Sequence, residues 1–252
     1  MIIEAFGHSS IGSSNEHNED HFLVDSDNGL FIVADGVGST ENGESVSQLA
    51  VEAAHKVLLE FEDPDETRLS RDIMDEEESL RERLRYAMGQ SCTTIRQYAE
   101  LHREYRGMST TLTILVMEDD IAHFSHVGDS RLYLFRNNRI RRLTRDHTVV
   151  QKEIDAGRLT PKLARLAPSR DVLTQSIGSQ GAIEPVTSTR PVETQDIFVL
   201  CTDGLTDHIS DEQIETLCRN HPVEELPFIL VDTAIEAGSK DNTTVLIVQA
   251  TK

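Results

Sequence analysis

Short apolar runs of β type follow one another in this chain too closely for helices to connect them. The runs at residues 21–25 and 30–35 have the turn Asp27-Asn28-Gly29 between them, and Asn137-Asn138 follows the run at 131–136. Parallel neighbours need a crossover of about a dozen residues, so this spacing predicts antiparallel hairpins. The remaining β-type runs lie at residues 2–6, 111–117, 121–127, 197–202 and 243–250.

Amphipathic helices interrupt these strands. Apolar residues recur at steps of three and four over residues 44–61 and again over 80–95, and a third helical pattern covers 224–237. The second helix is expected to stop near Gly107, since glycine commonly follows a helix end. Meandering strands with helices grouped beside them predict an α+β fold, and helix pairs covering a β-sandwich would suit these apolar faces.

Composition narrows the class of protein. The 252 residues show no internal repeat or linker, so we expect a single domain over residues 1–252. A net charge of −20 disfavours binding to nucleic acid or to an anionic membrane. No apolar run approaches the ~20 residues that span a bilayer, and the N-terminus lacks a signal-peptide pattern. With three cysteines and no CxxC motif, a reduced, cytoplasmic protein is expected.

Charge is unevenly distributed along the chain. Residues 60–78 carry ten acids and only Arg68 and Arg71, which predicts a solvated loop. Residues 136–170 hold ten of the 24 basic residues against three acids. Two interpretations of this basic segment stay open: its arginines recruit anionic phosphoproteins, or they pair with the protein's own surplus acids.

Acidic residues stand at strand boundaries throughout the chain. Asp35, Asp129 and Asp203 each follow an apolar run, Asp241 precedes the last run, and Glu19-Asp20 precede the run at 21–25. Asp-Gly after a strand is a common turn signal, but five such boundaries in one chain favour a shared role. A half-buried carboxylate needs a partner, and hard divalent ions such as Mg²⁺ take oxygen ligands. A nucleophilic aspartate of the haloacid dehalogenase type is excluded, because Val37 and Leu205 occupy the position of its second aspartate.

The motifs in their order resemble the metal-dependent serine/threonine protein phosphatases of type 2C (the PPM family), in their bacterial form. The resemblance covers nearly the whole chain and rests on NED (18–20), VADGVG (33–38), GMSTTL (107–112), VGDSRLY (127–133), LTRDHT (143–148), LTQSIG (173–178), CTDGLTD (201–207) and DNTTV (241–245). It implies a four-layer α-β-β-α fold, an antiparallel β-sandwich flanked by helix pairs, with a flap segment at about residues 147–180.

The resemblance also implies a centre of two Mg²⁺ or Mn²⁺ ions, with a third, weaker ion in bacterial relatives. Carried over, Asp35 bridges both ions, the Gly36 carbonyl binds one, Asp203 and Asp241 complete the other, and Asp129 serves the third. Glu19 and Asp20 hold the centre directly or through waters. Catalysis then falls to Asp35, Asp203 and Asp241, and a metal-activated water attacks phosphorus. Ser39, Ser109 and Cys201 need not act as nucleophiles.

Two positions depart from the family pattern. Bacterial relatives place an arginine three residues before NED to grip the substrate phosphate, whereas this chain has Asn15 there. A hydrogen bond to a charged group contributes roughly 1.5–3 kcal/mol, so this loss predicts phosphate binding weaker by about 10- to 100-fold. Asn15 and His17 are the expected substrate-binding residues, with His17 or the basic segment supplying charge. Val37 stands where eukaryotic relatives have a histidine.

These features predict a phosphatase that acts on phosphoserine and phosphothreonine in proteins. A cognate Ser/Thr kinase is the expected partner, and a monomeric state is expected. Two alternatives stay open: a catalytically weak phosphatase-like module that binds phosphoproteins, favoured by Asn15, and a phosphatase of small molecules. His126 is expected to be packed in the core, and His147 to organise the base of the flap.

Overall fold

The computed structural model describes residues 1–13, 15–38, 43–60 and 76–251, without the side chains of residues 43–45 and 76–79. Its strands are β1 (Ile2–Ser10), β2 (Asp20–Asp25), β3 (Leu30–Val37), β4 (Ser109–Thr110), β5 (Leu112–Glu118), β6 (Ile121–Val127), β7 (Arg131–Arg136), β8 (Arg139–Arg142), β9 (Val186–Pro191), β10 (Ile197–Cys201) and β11 (Thr243–Thr251).

Seven α-helices lie in the described part of the chain. They are α1 (Gly43–Glu60), α2 (Glu76–Leu101), α3 (Val149–Asp155), α4 (Pro161–Ala164), α5 (Asp203–Thr206), α6 (Asp211–Asn220) and α7 (Leu226–Glu236). None of the helices in these ranges has both the length and the apolar character needed to cross a lipid bilayer.

The strands form two antiparallel sheets. One has the order β1-β11-β10-β7-β8, and the other has the order β2-β3-β5-β6-β9 with β4 added beside β3. Tight hairpins connect β5 to β6 and β7 to β8, and both residues of each turn have positive φ, 48° and 61° at Asp119-Asp120 and 52° and 59° at Asn137-Asn138. Such left-handed pairs match the twist of the flanking strands. The predicted antiparallel hairpins are confirmed.

Three apolar clusters fill the spaces between four layers. Leu84 and Met88 of α2 pack with α1 and with Ile32 of the second sheet. Phe31, Phe124 and Phe198 lie between the two sheets, and Leu230 of α7 belongs to the cluster that covers the first sheet. The fold is therefore the predicted α-β-β-α sandwich, in which each helix pair buries one outer sheet face.

Several boundaries differ from the sequence-based expectations. Helix α2 ends at Leu101, well before Gly107, because a 3₁₀ turn over Arg103–Tyr105 follows it. Of the predicted acidic loop, residues 61–75 lie outside the described residues, and α2 already begins at Glu76. Strands β8 and β9 and helix α6 were not predicted. Their sequences are polar, and α6 is instead signalled by a capping box between Ser210 and Gln213.

Candidate metal and catalytic site

Acidic residues from both sheets meet at one end of the sandwich. Asp20 and Asp35 stand directly opposite each other in the β2–β3 pair, and Asp203 begins α5 just after β10. The charges of Asp20, Asp129 and Asp203 all act on Asp35, and Asp241 acts on Asp20 and Asp203. We call these five residues, Asp20, Asp35, Asp129, Asp203 and Asp241, the carboxylate cluster.

Asp20 is the most enclosed member of the carboxylate cluster, with 5% of its surface exposed. Its Oδ2 accepts hydrogen bonds from Thr202 Oγ1 at 2.9 Å and Thr244 Oγ1 at 2.7 Å, while its Oδ1 has no hydrogen-bond partner in the described part of the chain. Burial raises the pKa of Asp20 to about 8, and the charges of Asp203 and Asp241 add to this effect. A buried carboxylate with one unpaired oxygen indicates a cation site.

Asp35 and Asp203 share a hydrogen bond between their side chains. Burial raises the pKa of Asp35, and repulsion from Asp203, Asp20 and Asp129 raises it further. Burial likewise raises the pKa of Asp203 to about 7, helped by the charges of Asp207 and Asp241. Like charges in a desolvated site disfavour simultaneous ionisation of Asp35 and Asp203, and this repulsion is the cause of both raised pKa values beyond burial itself.

Thr111 connects Asp35 with the loop that carries Asp129. The backbone N–H of Asp35 donates to Thr111 Oγ1 at 2.9 Å, the N–H of Thr111 donates to the Asp35 carbonyl at 2.9 Å, and Thr111 Oγ1 lies 2.6 Å from Ser130 Oγ. Gly128 has φ of 110° in this loop, and a Cβ there would lie 2.6 Å from the Thr111 side chain. Glycine is therefore required where β6 turns toward Asp129.

Asp241 is oriented by two asparagines. Asn15 Nδ2 donates to Asp241 Oδ1 at 3.1 Å, and the backbone N–H of Asn242 donates to the same oxygen at 2.9 Å. The Asn242 side chain also accepts from the N–H of Glu19 at 2.8 Å and donates to the carbonyls of Ile11, at 2.8 Å, and His17, at 3.2 Å. Asn242 thus fixes the segment containing Glu19 against the Asp241 loop.

The two predicted substrate-binding residues lie in the segment that contacts Asp241 and Asn242. The Asn15 amide is already engaged with Asp241, and the exposed His17 contributes its backbone carbonyl to the Asn242 contact. The Glu19 carbonyl accepts from the N–H of Gly36 at 3.0 Å, which links the two remaining predicted ligands. Substrate binding by Asn15 and His17 stays a prediction.

Thr202, Thr244 and Asn242 are site residues that the sequence analysis missed. All three are buried. The signal in the sequence was a polar residue at the boundary of an apolar strand, since Thr202 follows IFVLC and Thr244 lies within TTVLIV. Such a residue needs a hydrogen-bond partner once buried, and here the partners are the predicted acids.

A largely buried ion pair lies beside the carboxylate cluster, where the segment predicted to form a flap begins. Arg131 donates to both carboxylate oxygens of Asp146, at 3.0 and 2.8 Å, and to Tyr133 Oη at 3.2 Å. His147 contacts the loop after β6, because the N–H of Gly128 donates to its Nδ1 at 3.2 Å and its own N–H donates to the Gly128 carbonyl at 2.7 Å. Its role at the base of a flap stays a prediction. Thr148 and Leu173 form a β-bridge between the two ends of the segment.

His126 is fully buried, as predicted, and burial lowers its pKa to about 3.

The basic segment 136–170 is largely neutralised by the protein's own acids. Six of its ten bases form ion pairs, and three examples are Arg136 with Asp196 at 2.5 Å, Arg158 with Glu153 at 2.6 Å and Arg142 with Asp146 at 3.3 Å; the others are Arg139, Arg145 and Arg170. Of the two interpretations of this segment, the structure supports pairing with internal acids.

Two clefts open onto the carboxylate cluster. One, of about 490 Å³, is lined by residues of the segment 148–171 on one side and by Asp129 and Asp203 on another. The other, of about 380 Å³, is lined by Asn15, Lys240 and Asp241 on one side and by Arg170 on another. Arg170 and Asp203 line both clefts, so the cluster is accessible from two directions.

The chemistry of the cluster fits divalent cations. Its donors are oxygen atoms, which Mg²⁺ and Mn²⁺ prefer, and a cation would relieve the repulsion among the acids. Within the described residues, no three Asp, Glu, His or Cys side chains already stand in the arrangement of a metal cage. Burial, charge and the unpaired Asp20 oxygen are therefore what support metal binding here.

Comparison with known proteins identifies relatives along the whole chain. Residues 7–226 match the family model described as protein phosphatase 2C. Protein phosphatase PhpP of Streptococcus pneumoniae is 31% identical over 242 residues, which cover 94% of each chain. Serine/threonine protein phosphatase PstP of Mycobacterium tuberculosis is 31% identical over 248 residues, which cover 98% of this chain and 45% of that protein.

Solved structures agree with these sequence matches. The crystal structure of the M. tuberculosis serine/threonine phosphatase PstP superimposes with a TM-score of 0.87 at 28% identity, over 100% of both chains. The catalytic domain of PstP in complex with two manganese ions gives a TM-score of 0.82 at 28% identity, over 99% of both chains.

Proposed function

The chain belongs to the protein phosphatase 2C family, and from this premise we propose that the carboxylate cluster is the centre at which it hydrolyses phosphoserine and phosphothreonine in proteins. The chain is a metal-dependent serine/threonine protein phosphatase of the bacterial type. The main support for the carboxylate cluster as the catalytic centre is the burial of Asp20 beside Asp35 and Asp203. The pKa values of all three acids are raised.

The residues that would hold two ions are Asp35, the Gly36 carbonyl, Asp203 and Asp241, with Glu19 and Asp20 behind them and Asp129 available for a third. When bound, divalent cations supply Lewis-acid activation of water and neutralise charge on the transferring phosphoryl group. Mg²⁺ and Mn²⁺ both suit an all-oxygen donor set. The manganese in the PstP structure supports a site for two ions.

The protein's own residues orient and shield the reaction. Thr202 and Thr244 hold Asp20, Asn15 and Asn242 hold Asp241, and Thr111 holds Asp35. These hydrogen bonds fix the carboxylates of Asp20 and Asp241 and the backbone of Asp35 before substrate arrives, so little reorganisation is needed during the reaction.

Water is the nucleophile in this proposal, and the buried Cys201 and Ser109 are not used as nucleophiles. Cys201 is fully buried, and burial raises the pKa of its thiol to about 12. Ser109 is 8% exposed and lies in the short strand β4. Ser39 lies outside the described residues. A covalent enzyme intermediate is therefore not required.

The test is metal-dependent release of phosphate from a phosphothreonine peptide, measured with Mn²⁺ and with excess chelator. We expect chelator to abolish turnover and Asp203→Asn to lower kcat by more than about 100-fold. Asp232→Asn, an exposed acid on α7, is the matched control for the charge change and should leave the rate unaltered. Chelator-resistant turnover, or an Asp203→Asn enzyme as active as the control, would contradict the proposal.

Protein substrates distinguish this function from the alternatives. The relatives favour an active phosphatase over a phosphoprotein-binding module. Competition between the phosphopeptide and nucleotides or sugar phosphates tests the small-molecule alternative, and stronger turnover of a small phosphate would support it. Four expectations stay predictions from the sequence. They are a cognate kinase, a cytoplasmic location, a monomeric state and a single domain with a flap at residues 147–180.

A further inference from the structure

Of the two clefts at the carboxylate cluster, the one that borders Asp203 and Asp241 also contains Asn15, and Asn15 cannot supply positive charge to a phosphate bound there. Its side chain is uncharged, and its Nδ2 donates to Asp241 Oδ1. Two cationic side chains, Arg170 and Lys240, line the same cleft among the described residues. One of these two is therefore the candidate for charge recognition of the phosphate.

Arg170 already forms ion pairs with two acidic residues. Its Nε lies 3.0 Å from Asp171 Oδ1, and its Nη2 lies 3.4 Å from Asp207 Oδ2. Lys240 is exposed and forms no ion pair within the described ranges of the chain. A lysine side chain that faces an acidic cleft without a fixed partner can contact an incoming anion without breaking an existing pair.

The loop that carries Lys240 is held rigidly in place. Ser239 Oγ donates to the Gly204 carbonyl at 3.1 Å, and Thr243 Oγ1 donates to the Asp241 carbonyl at 3.2 Å. Gly12 has φ of 74°, and a Cβ there would lie 2.5 Å from the Lys240 carbonyl, so the turn that follows β1 packs directly against this backbone. The backbone next to Asp241 is thus fixed, which limits where the Lys240 side chain can reach.

We propose that Lys240 contacts the substrate phosphate and supplies the positive charge that the arginine would have supplied at position 15. Asn15 then has a different task, which is to orient Asp241. The proposal rests on the function proposed above, because it assigns a substrate contact within the same site.

The experiment compares Lys240→Gln with Lys56→Gln, which removes the same charge from an exposed position on α1. Turnover of a phosphothreonine peptide is measured at saturating Mn²⁺, together with competitive inhibition by inorganic phosphate. Loss of one charged hydrogen bond predicts that Lys240→Gln lowers kcat/KM by about 10-fold or more, and raises the inhibition constant for phosphate similarly. Lys56→Gln should match the wild type in both measurements.

Two further variants make the assignment specific. Asn15→Arg added to Lys240→Gln should restore kcat/KM and phosphate inhibition, because it returns a cation to the same cleft. Manganese binding, followed by the rise in Tm with Mn²⁺ concentration, should have the same midpoint in Lys240→Gln as in the wild type. A weaker manganese midpoint that accounts for the whole loss would overturn the proposal.

The outcomes separate this proposal from the one on which it rests. If Lys240→Gln behaves like Lys56→Gln while Arg170→Gln loses phosphate inhibition, Arg170 is the phosphate contact and the Lys240 assignment is wrong. If the wild-type protein shows no chelator-sensitive turnover, the proposed function fails. In that case the phosphate-induced rise in Tm of the manganese-loaded protein still decides whether Lys240 binds phosphate.

Discussion

Replacing Asp20 by Asn should stabilise the metal-free protein while weakening its response to metal. The Asp20 side chain is buried and has a pKa of about 8, against about 3.9 in an unfolded chain. At 1.36 kcal/mol per pKa unit, keeping Asp20 protonated costs the folded state about 4 kcal/mol at pH 7. Asn is close in shape to a protonated Asp, and its Oδ1 can still accept from Thr202 and Thr244. Burying its unpaired amide N–H group costs about 1–3 kcal/mol, so a net gain of about 1–3 kcal/mol is expected.

The sign of the pH dependence follows from proton binding. Between pH 4 and 8 the folded protein binds a proton at Asp20 that the unfolded chain does not bind, so the free energy of unfolding falls as pH rises through this window. Between pH 6.5 and 7.5 the contribution of Asp20 is a fall of about 1 kcal/mol. The variant Asp20→Asn lacks this contribution.

Urea unfolding at pH 6.5 and 7.5 with excess chelator measures both effects, and the same titrations with Mn²⁺ measure the response to metal. Asp232→Asn, whose side chain is exposed on α7, controls for the change in net charge and should behave like the wild type. We expect Mn²⁺ to stabilise the wild type more than Asp20→Asn. The reasoning would be refuted if Asp20→Asn were less stable than the wild type in chelator and its free energy of unfolding changed with pH as in the wild type. Burial of Asp20 would then not destabilise the metal-free protein.

Three other changes test the packing around the site by urea unfolding. Gly204→Ala would place a Cβ 2.0 Å from the Asn242 carbonyl oxygen and should lower the free energy of unfolding by about 2 kcal/mol or more. Gly89→Ala in α2, where the Cβ would have no atom within 4 Å, should raise it by about 0.5–1 kcal/mol. Equal effects of the two variants would contradict the backbone contact at Gly204. Asp146→Asn leaves the buried Arg131 without its paired charge and should cost about 3 kcal/mol, and a loss below about 1 kcal/mol would contradict that. His126 stays neutral when folded because its pKa is about 3, so its own contribution to the free energy of unfolding should fall by up to about 1.4 kcal/mol per pH unit below about 6.5. This contribution is opposite in sign to that of Asp20 and is measured as the difference in pH slope between the wild type and His126→Asn.

Hairpins and helix faces were predictable because they depend on neighbours in the sequence. The turns at Asn137-Asn138 and before Leu30 could be located from residue type alone, and the β2–β3 pair formed in the register that places Asp20 opposite Asp35. Polar elements were not predictable in this way. The strand β8 is mostly arginine. It pairs with β7, and Arg139 lies 3.5 Å from Glu215 of α6, a helix distant in the sequence.

The candidate site shows the same division. The strand-end position of each acid could be found in the sequence, as could the missing charge at Asn15. The hydrogen bonds from Thr202 and Thr244 to Asp20 span 182 and 224 residues, and the contact between Asn15 and Asp241 spans 226. No local pattern records which of these partners meet.

By itself, the sequence determined the antiparallel strands, the amphipathic helices and the identity of the acids that end the strands, since all of these follow from local periodicity and turn chemistry. The packing of the chain brings Asn15 to Asp241, pairs most arginines of the basic segment with acids and leaves Lys240 beside the cleft with no ion pair among the residues that the structure describes. The physical reason is that a side chain's charge becomes available or is cancelled according to its neighbours in space, and packing two sheets together sets those neighbours.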